Sequence, residues 1–179
     1  FKAEYVGKKN IKKPVSYKPI YFPKDNSIEQ LVKMMQNSSK PIFYIGGGVI
    51  NSGDNASKEL FKLIKRTKFP CTQTLMALGA FPTSDNQFLG MLGMHGTYEA
   101  NLAMNQSDLM ICVGARFDDR ITGKVSGFSP KSKKVHIDID ASSFNKSVNV
   151  DLTIQGDILK ILRKINNILD NKKIMFDLD

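Results

Sequence analysis

The chain has no tryptophan, only two cysteines and two histidines, and only four arginines among its 26 basic residues. Cys71 and Cys112 each lie in a short apolar run, which favours buried free thiols in a reducing compartment over a disulfide. His95 and His136 are scattered without the spacing of metal ligands. The sequence therefore predicts no metal site, and nothing in it suggests a disulfide scaffold.

Long hydrophobic runs are also missing, since no apolar stretch approaches the roughly 18 residues that would suggest a membrane span. An apolar fraction of 41% and a charged fraction of 24% are typical of a soluble globular protein. With 179 residues, we expect one domain with a real core and no membrane partner. The chain shows no signal peptide and begins with Phe1, so we expect a piece of a longer or processed product.

Acidic residues are scarce at the N-terminus, and this gives the chain much of its net charge of +9. Residues 1–24 hold seven lysines, one acidic residue and three prolines, as a linker would. We expect a second, smaller lysine cluster to lie in a loop, at Lys131, Lys133 and Lys134. Because no basic stripe is interleaved with aromatic residues, the charge does not indicate a nucleic-acid partner.

Helical and strand patterns alternate along the rest of the chain, separated by short loops. Apolar periodicity predicts helices at 27–36, 54–67, 98–105 and after 157, and strands from 41 and at 69–75, 87–92, 109–114, 135–140 and 152–155. Ser27 is predicted to cap the first helix and Asp157 the last. The pattern predicts an α/β fold, a doubly wound parallel sheet of about six strands with helices on both faces. We expect a leader at 1–26, the domain at 27–170 and a tail at 171–179.

The suggestive motifs all follow predicted strands, where ligands bind in open α/β sheets. The run Gly46-Gly47-Gly48 lets backbone amides approach an anion, although it lacks the GxGxxG spacing and a plain tight turn explains it as well. The run GMLGMHG puts glycines around Met94 and His95, which suits a flat ligand or a structural histidine equally. Both runs are therefore candidates for binding.

A third motif, GARFDDR, concentrates two of the scarce arginines, Arg116 and Arg120, beside two aspartates. Guanidinium groups bind phosphate and carboxylate in bidentate fashion, so the motif suits a pyrophosphate, and a self-paired ion cluster is the alternative. Asp138 ends the run VHID, where dinucleotide folds often place an acid against ribose hydroxyls, and a surface aspartate on an alternating strand explains it as well. Together these features predict a dinucleotide site. No nucleophile–base pair, metal cluster or paired catalytic carboxylates stand out, so no residue is assigned a catalytic role.

The order of these motifs resembles the central domain of the acetolactate synthase (acetohydroxyacid synthase) catalytic subunit, a thiamine-diphosphate enzyme family. The resemblance runs from about Pro23 to Leu169 and is carried by GGG, TLMALGAFP, LGMLGMHGTYEAN, DLMICVGARFDDRITGK, VHIDID and GD. It implies a Rossmann-like domain that binds FAD without a redox role. It also implies that thiamine diphosphate and Mg²⁺ are bound by other domains, in an enzyme that joins a pyruvate-derived hydroxyethyl group to pyruvate or 2-ketobutyrate in branched-chain amino-acid biosynthesis.

The resemblance also assigns roles to individual residues. It implies cofactor contacts from Gly46, Gly47, Gly48, Asn51, Thr74, Leu75, Leu92, Gly93, Met94, His95, Gly114, Ala115, Arg116, Asp118, Arg120, Ile121, Asp138, Ile139, Gly156, Asp157 and Ile158. It places Met94, Asp119 and Arg120 beside the substrate channel, where herbicidal inhibitors bind. The implied partners are other domains of the same chain, a second catalytic subunit and a regulatory small subunit, in the cytoplasm or, in a eukaryote, the plastid.

Two hallmarks of the resembled family are missing from these 179 residues. The activating glutamate of the pyrimidine-binding domain is absent, and Gly156-Asp157 lacks the context of the GDG…N diphosphate motif. We therefore expect the chain alone to be inactive. The alternatives are the equivalent domain of another thiamine enzyme, such as a flavin-dependent pyruvate oxidase, or an isolated nucleotide-binding module that docks through its basic leader.

Overall fold

The computed structural model describes residues 22–176 of the chain. The predicted leader up to residue 21, and residues 177–179 of the predicted tail, lie outside the described residues. The strands are β1 (Pro41–Ile45), β2 (Cys71–Gln73), β3 (Phe88–Met91), β4 (Leu109–Val113), β5 (Lys133–Asp138) and β6 (Leu152–Gln155). The helices are α1 (Asp25–Gln36), α2 (Gly48–Asn51), α3 (Asp54–Thr67), α4 (Tyr98–Gln106), α5 (Asp119–Thr122) and α6 (Ile158–Asn171).

The six strands form one parallel sheet in the order β3-β2-β1-β4-β5-β6. The first strand, β1, lies in the middle of the sheet. The next two strands, β2 and β3, extend the sheet to one edge, and the chain then crosses to β4 on the other side of β1. This is the strand order of a doubly wound α/β fold, and it creates a switch point between β1 and β4. The predicted fold class is confirmed.

Alternate residues of the strands face two separate cores. Phe43 and Ile45 of β1 belong to the larger core, together with apolar side chains of α1, α3 and α6. Ile42 and Tyr44 belong to the smaller core, where Met104 of α4 and two loop phenylalanines cover the opposite face of the sheet. Because β1 and β4 are buried on both faces, they are continuously apolar, as is usual in parallel sheets.

Several element boundaries differ from the sequence-based predictions. Helix α1 starts at Asp25 after Lys24, and no side chain caps it, so the predicted Ser27 cap was wrong. Strand β2 is shorter than predicted because a 3₁₀ turn begins at Leu75. Strand β5 begins and ends two residues earlier than predicted, since Asp140 caps a following turn instead of continuing the strand.

The predicted loop cluster of lysines was wrong for two of its three members, since only Lys131 lies in a turn. Lys133 and Lys134 begin strand β5, and Lys134 is buried. Its Nζ donates hydrogen bonds to the carbonyl oxygens of Ser129 and Ser132, at 2.9 and 3.0 Å. Burial lowers the pKa of Lys134, while the carboxylate of Asp151 opposes the shift. This lysine therefore fastens a loop to the sheet.

Both cysteines are buried free thiols, as predicted. Burial raises the pKa of Cys71 to about 12, which keeps this thiol protonated at neutral pH. Within residues 22–176, no helix has the length and apolarity to cross a membrane.

Candidate functional site

The candidate site begins where the carboxyl ends of β1 and β4 diverge. The loops that follow these strands cross so closely that a Cβ on Gly46 would lie 2.1 Å from the carbonyl oxygen of Gly114. A Cβ on Gly48 would lie 2.8 Å from the Cα of Gly114, and Gly114 itself has φ +63°. Glycine is required here because backbone packs directly on backbone. The Gly46-Gly47-Gly48 run and the start of the GARFDDR motif therefore form one crossing at the switch point of the sheet.

Two of the three amides of the glycine run donate hydrogen bonds to backbone at the end of β4. Gly46 N–H donates to the carbonyl oxygen of Val113 at 2.8 Å, and Gly48 N–H donates to that of Gly114 at 3.0 Å. Within the described residues, the Gly47 N–H has no such acceptor, and this glycine packs against Met76. The glycine run therefore brings the β1 and β4 loops together and leaves one amide for a ligand.

The GARFDDR motif follows β4 and carries its arginines at the surface. The Arg116 side chain is 72% exposed, and its Nη2 lies 3.8 Å from Oδ2 of Asp118. Asp118 caps α5 by accepting a hydrogen bond from the Arg120 amide at 3.3 Å. A contact this long and exposed restrains a guanidinium weakly. Arg116 therefore remains available to an anion at the carboxyl edge of the sheet.

The GMLGMHG loop packs on this arginine motif. Met94 N–H donates to the carbonyl oxygen of Arg120 at 3.1 Å, and a Cβ on Gly93 would lie 2.8 Å from that same oxygen. The side chains of Met94 and His95 are exposed, Met94 by 74%. Ile121 lies against Gly93. The structure thus brings the loop with the predicted cofactor contacts Met94 and His95 next to the predicted channel residues Asp119 and Arg120.

Asn101 holds this loop in place, and sequence reasoning missed it. Its Oδ1 accepts from Gly93 N–H at 3.1 Å, and its Nδ2 donates to the Gly93 carbonyl oxygen at 3.0 Å. Gly93 has φ +104°, so the side chain clamps both polar groups of a glycine in an unusual conformation. The signal in the sequence is an asparagine within the first turns of α4, four residues after its cap Thr97.

The ends of β5 and β6 meet beside α6. Gly156 N–H donates to the Asp138 carbonyl oxygen at 3.0 Å, and the Asp138 carboxylate accepts from the Asp140 amide at 2.8 Å. Asp157 caps α6 by accepting from the Lys160 amide at 3.0 Å, as predicted. Ile158 of the same helix packs onto Gly114. These predicted cofactor contacts at the ends of β5 and β6 therefore adjoin the glycine crossing.

A buried imidazole lies directly beneath Asp138, and sequence reasoning gave it no role. His136 precedes Asp138 on the same face of β5, and its Nε2 lies 3.8 Å from Oδ2 of Asp138. Burial lowers the pKa of His136, although the carboxylate of Asp138 and the carbonyl of Ala115 both oppose the shift. The histidine is therefore neutral at neutral pH.

The remaining predicted residues divide into exposed and buried groups. Leu75 is 69% exposed, and Asn51 and Asp119 are also at the surface. The side chains of Leu92, Ala115 and Ile158 are buried, so only their backbone groups face the edge of the sheet. The hydroxyl of Thr74, at the end of β2, is buried without a hydrogen-bond partner among the described residues. Such an orphaned hydroxyl suits a site completed by a ligand.

Within the described part of the chain, no cluster of three or more histidine, cysteine or acidic residues could hold a metal ion. The site consists of glycine loops, the exposed arginines of the GARFDDR motif, an acid at the end of β5 and exposed apolar side chains. Chemically, this arrangement suits an extended ligand that carries phosphate and has an apolar end.

Comparison with known proteins gives consistent matches. A family model described as thiamine pyrophosphate enzyme, central domain, matches residues 28–165. The chain is 42% identical over 157 residues to "Acetolactate synthase, chloroplastic" of Arabidopsis thaliana, covering 88% of this chain and 23% of that protein. It is 40% identical over 164 residues to "Acetolactate synthase large subunit" of Haemophilus influenzae, covering 92% and 28%. It is 44% identical over 153 residues to "Acetolactate synthase" of Mycobacterium avium, covering 86% and 24%. The chain thus spans about a quarter of the length of these curated relatives.

Proposed function

The chain belongs to the thiamine pyrophosphate enzyme central-domain family, and on that premise we propose that it is the FAD-binding central domain of an acetolactate synthase. The observation that carries the proposal is the glycine crossing at the switch point, with the exposed Arg116 beside it. Dinucleotides bind at such switch points because helix starts and close backbone approach accommodate their pyrophosphate. FAD carries a pyrophosphate, which suits the glycine crossing and Arg116, and an apolar flavin, which suits the exposed apolar side chains.

The residues at the edge can be assigned to parts of FAD by their chemistry. Arg116 and the free amide of Gly47 suit the pyrophosphate, since both donate hydrogen bonds to anions. Asp138 suits the ribose hydroxyls of the adenosine half. The exposed apolar side chains of Leu75 and Met94 suit the flavin half. The buried Thr74 hydroxyl would gain a partner from the same ligand.

The parent reaction is proposed to be the condensation of two pyruvates to 2-acetolactate, or of pyruvate with 2-ketobutyrate. Thiamine pyrophosphate, with Mg²⁺, would supply the carbanion chemistry of that reaction. The described residues form no metal cluster for it, so we assign that site to other domains of the parent protein. Those domains, a second catalytic subunit and a regulatory subunit are the proposed partners, and the chain alone is proposed to be inactive.

Met94, Asp119 and Arg120 are proposed to form one wall of the substrate channel. All three are exposed, and Met94 is joined to Arg120 by the backbone hydrogen bond between their loops. A movement of either loop would therefore shift the other. Asp119 and Arg120 of this wall belong to the same short segment, 116–120, as the proposed pyrophosphate contact of Arg116.

The substitution Arg116→Ala is expected to weaken FAD binding by about 10- to 100-fold, because it removes a charge-assisted hydrogen bond of about 1.5–3 kcal/mol. Isothermal titration of FAD into the 179-residue chain measures this directly. The loss should shrink as salt rises, since the contact is exposed.

The matched control is Arg163→Ala. Arg163 is an exposed arginine of α6. Its Nε lies 3.7 Å from Oε1 of Glu59 in the neighbouring helix α3. Its loss removes the same charge from the chain without touching the carboxyl edge. Equal FAD affinity for the two variants would show that Arg116 contributes only net charge, and the pyrophosphate assignment would be lost.

A further inference from the structure

His136 occupies an unusual position for a histidine in an α/β core. It belongs to a row of paired residues that runs from Tyr44 of β1 through Cys112 of β4 to His136 and on to Thr153 of β6. Its side chain is completely buried. The ring stands edge-on to Phe117 and Phe144, with centroid distances of 5.3 and 5.0 Å. The two aromatic rings therefore fix the imidazole plane.

The polar atoms of this fixed ring lack partners. Within the described residues, neither Nδ1 nor Nε2 makes a hydrogen bond of full geometry, although a backbone contact with Ala115 of hydrogen-bond type raises the pKa of the ring, by less than Asp138 does. A buried polar group without a partner is costly, and most such groups in native proteins are satisfied. The unsatisfied ring therefore points to a state of the site in which it gains a partner.

The carboxylate of Asp138 is the acceptor that faces Nε2, with Oδ2 lying 3.8 Å from that nitrogen. The other oxygen, Oδ1, already accepts the Asp140 amide. The Asp138 side chain is 16% exposed, so it spans the boundary between the buried ring and the carboxyl edge of the sheet. A shift of well under 1 Å would bring Oδ2 within hydrogen-bonding distance of Nε2.

We propose that His136 is a positioning residue for the nucleotide, donating a hydrogen bond from Nε2–H to Asp138 when the carboxylate binds the ribose hydroxyls. This inference rests on the proposed binding of FAD at the carboxyl edge. The fixed ring holds the carboxylate from below, the Asp140 amide holds it from the side, and the remaining lone pairs face the ribose. His136 itself touches no ligand.

A double-mutant cycle tests the proposal in the 179-residue chain. His136→Phe keeps an aromatic ring between Phe117 and Phe144 but removes the donor. We expect it to weaken FAD binding about 5- to 10-fold when Asp138 is present, and less than about 2-fold when Asp138 is replaced by Ala. His136→Gln, which keeps an N–H donor, should restore part of the affinity. Circular dichroism of each variant checks that the fold is retained.

A second measurement needs no substitution. In an NMR spectrum of the ¹⁵N-labelled imidazole of His136, we expect the proton to lie on Nε2 after FAD is added, and the chemical shift of Nε2 to be that of a hydrogen-bonded N–H. A proton that stays on Nδ1 in the FAD complex would overturn the proposal, and so would equal losses of affinity in both backgrounds of the cycle. If the unsubstituted chain binds no FAD, the proposed function itself fails and this inference fails with it.

Discussion

Gly46→Ala is expected to lower the free energy of unfolding by about 3 kcal/mol or more, the upper range for overpacking a site that cannot relax. The added Cβ would lie 2.1 Å from the Gly114 carbonyl oxygen and 2.4 Å from the Cα of Ala115. Both are backbone atoms of the loop after β4, so no side-chain rotation relieves the clash. Urea denaturation followed by circular dichroism measures the loss.

The same substitution should also impair the proposed site. The clash can be relieved only if the loops after β1 and β4 move apart, and this movement opens the crossing. Any folded Gly46→Ala protein is therefore expected to bind FAD more weakly. Gly127→Ala is the matched control, since no heavy atom lies within 4 Å of its added Cβ. It should change stability by less than about 0.5 kcal/mol. Similar losses from both variants would mean that the close crossing is not what demands glycine.

Asp108→Ala is expected to destabilise the chain by about 2–3 kcal/mol, since its carboxylate ties two distant segments together. Oδ2 accepts the Ser39 amide at 2.7 Å, and Oδ1 accepts the Lys40 amide at 2.9 Å and the Ser38 hydroxyl. These bonds fix the turn that leads into β1 against the start of β4. Without the carboxylate, the amides of Ser39 and Lys40 lose their acceptor, and the turn before β1 is no longer tied to the start of β4.

The pH dependence of this effect has a definite sign. Burial opposes ionisation of Asp108, but the hydrogen bonds from Ser38, Ser39 and Lys40 outweigh it and hold the pKa below its ordinary value. The carboxylate therefore stabilises the fold fully above the unfolded pKa of about 3.9 and loses this contribution as the pH falls through the lower folded value. The stability gap between the unsubstituted protein and Asp108→Ala should narrow below about pH 4.

Asp108→Asn serves as the control for that experiment, because it keeps one acceptor oxygen and cannot titrate in this range. It should lose less stability than Asp108→Ala at neutral pH, and its difference from Asp108→Ala should not vary with pH. A gap to the unsubstituted chain that stays constant from pH 7 to pH 3 would contradict the assignment.

The sequence predicted the fold because its central strands are unambiguous. The runs at β1 and β4 are continuously apolar and end in glycine, which is typical of strands buried on both faces and followed by tight connections. The short helices α2 and α5 were missed because four residues carry no helical periodicity. The Ser27 cap failed because good capping chemistry was present two residues inside the helix, and nothing in the pattern showed an earlier start.

At the site, motif recognition found residues that project from strand ends but not the residues that support them. Asn101 lies eight positions after the glycine that it clamps, and only the fold brings its carboxamide to Gly93. His136 alternates with Asp138 on an ordinary strand pattern, so its lack of partners is visible only in three dimensions. Conversely, the glycine run was interpreted as an anion cradle, whereas two of its amides bind the neighbouring loop.

The central claim is that this edge of the sheet binds FAD as a dinucleotide, and a competitive titration tests it most directly. FAD, FMN and NAD are titrated into the 179-residue chain under identical conditions. We expect FAD to bind most tightly, since FMN lacks the adenosine half that would contact Asp138 and NAD lacks the flavin that would contact Leu75 and Met94. Binding of FMN or NAD as tight as that of FAD, or no binding of FAD at all, would contradict it.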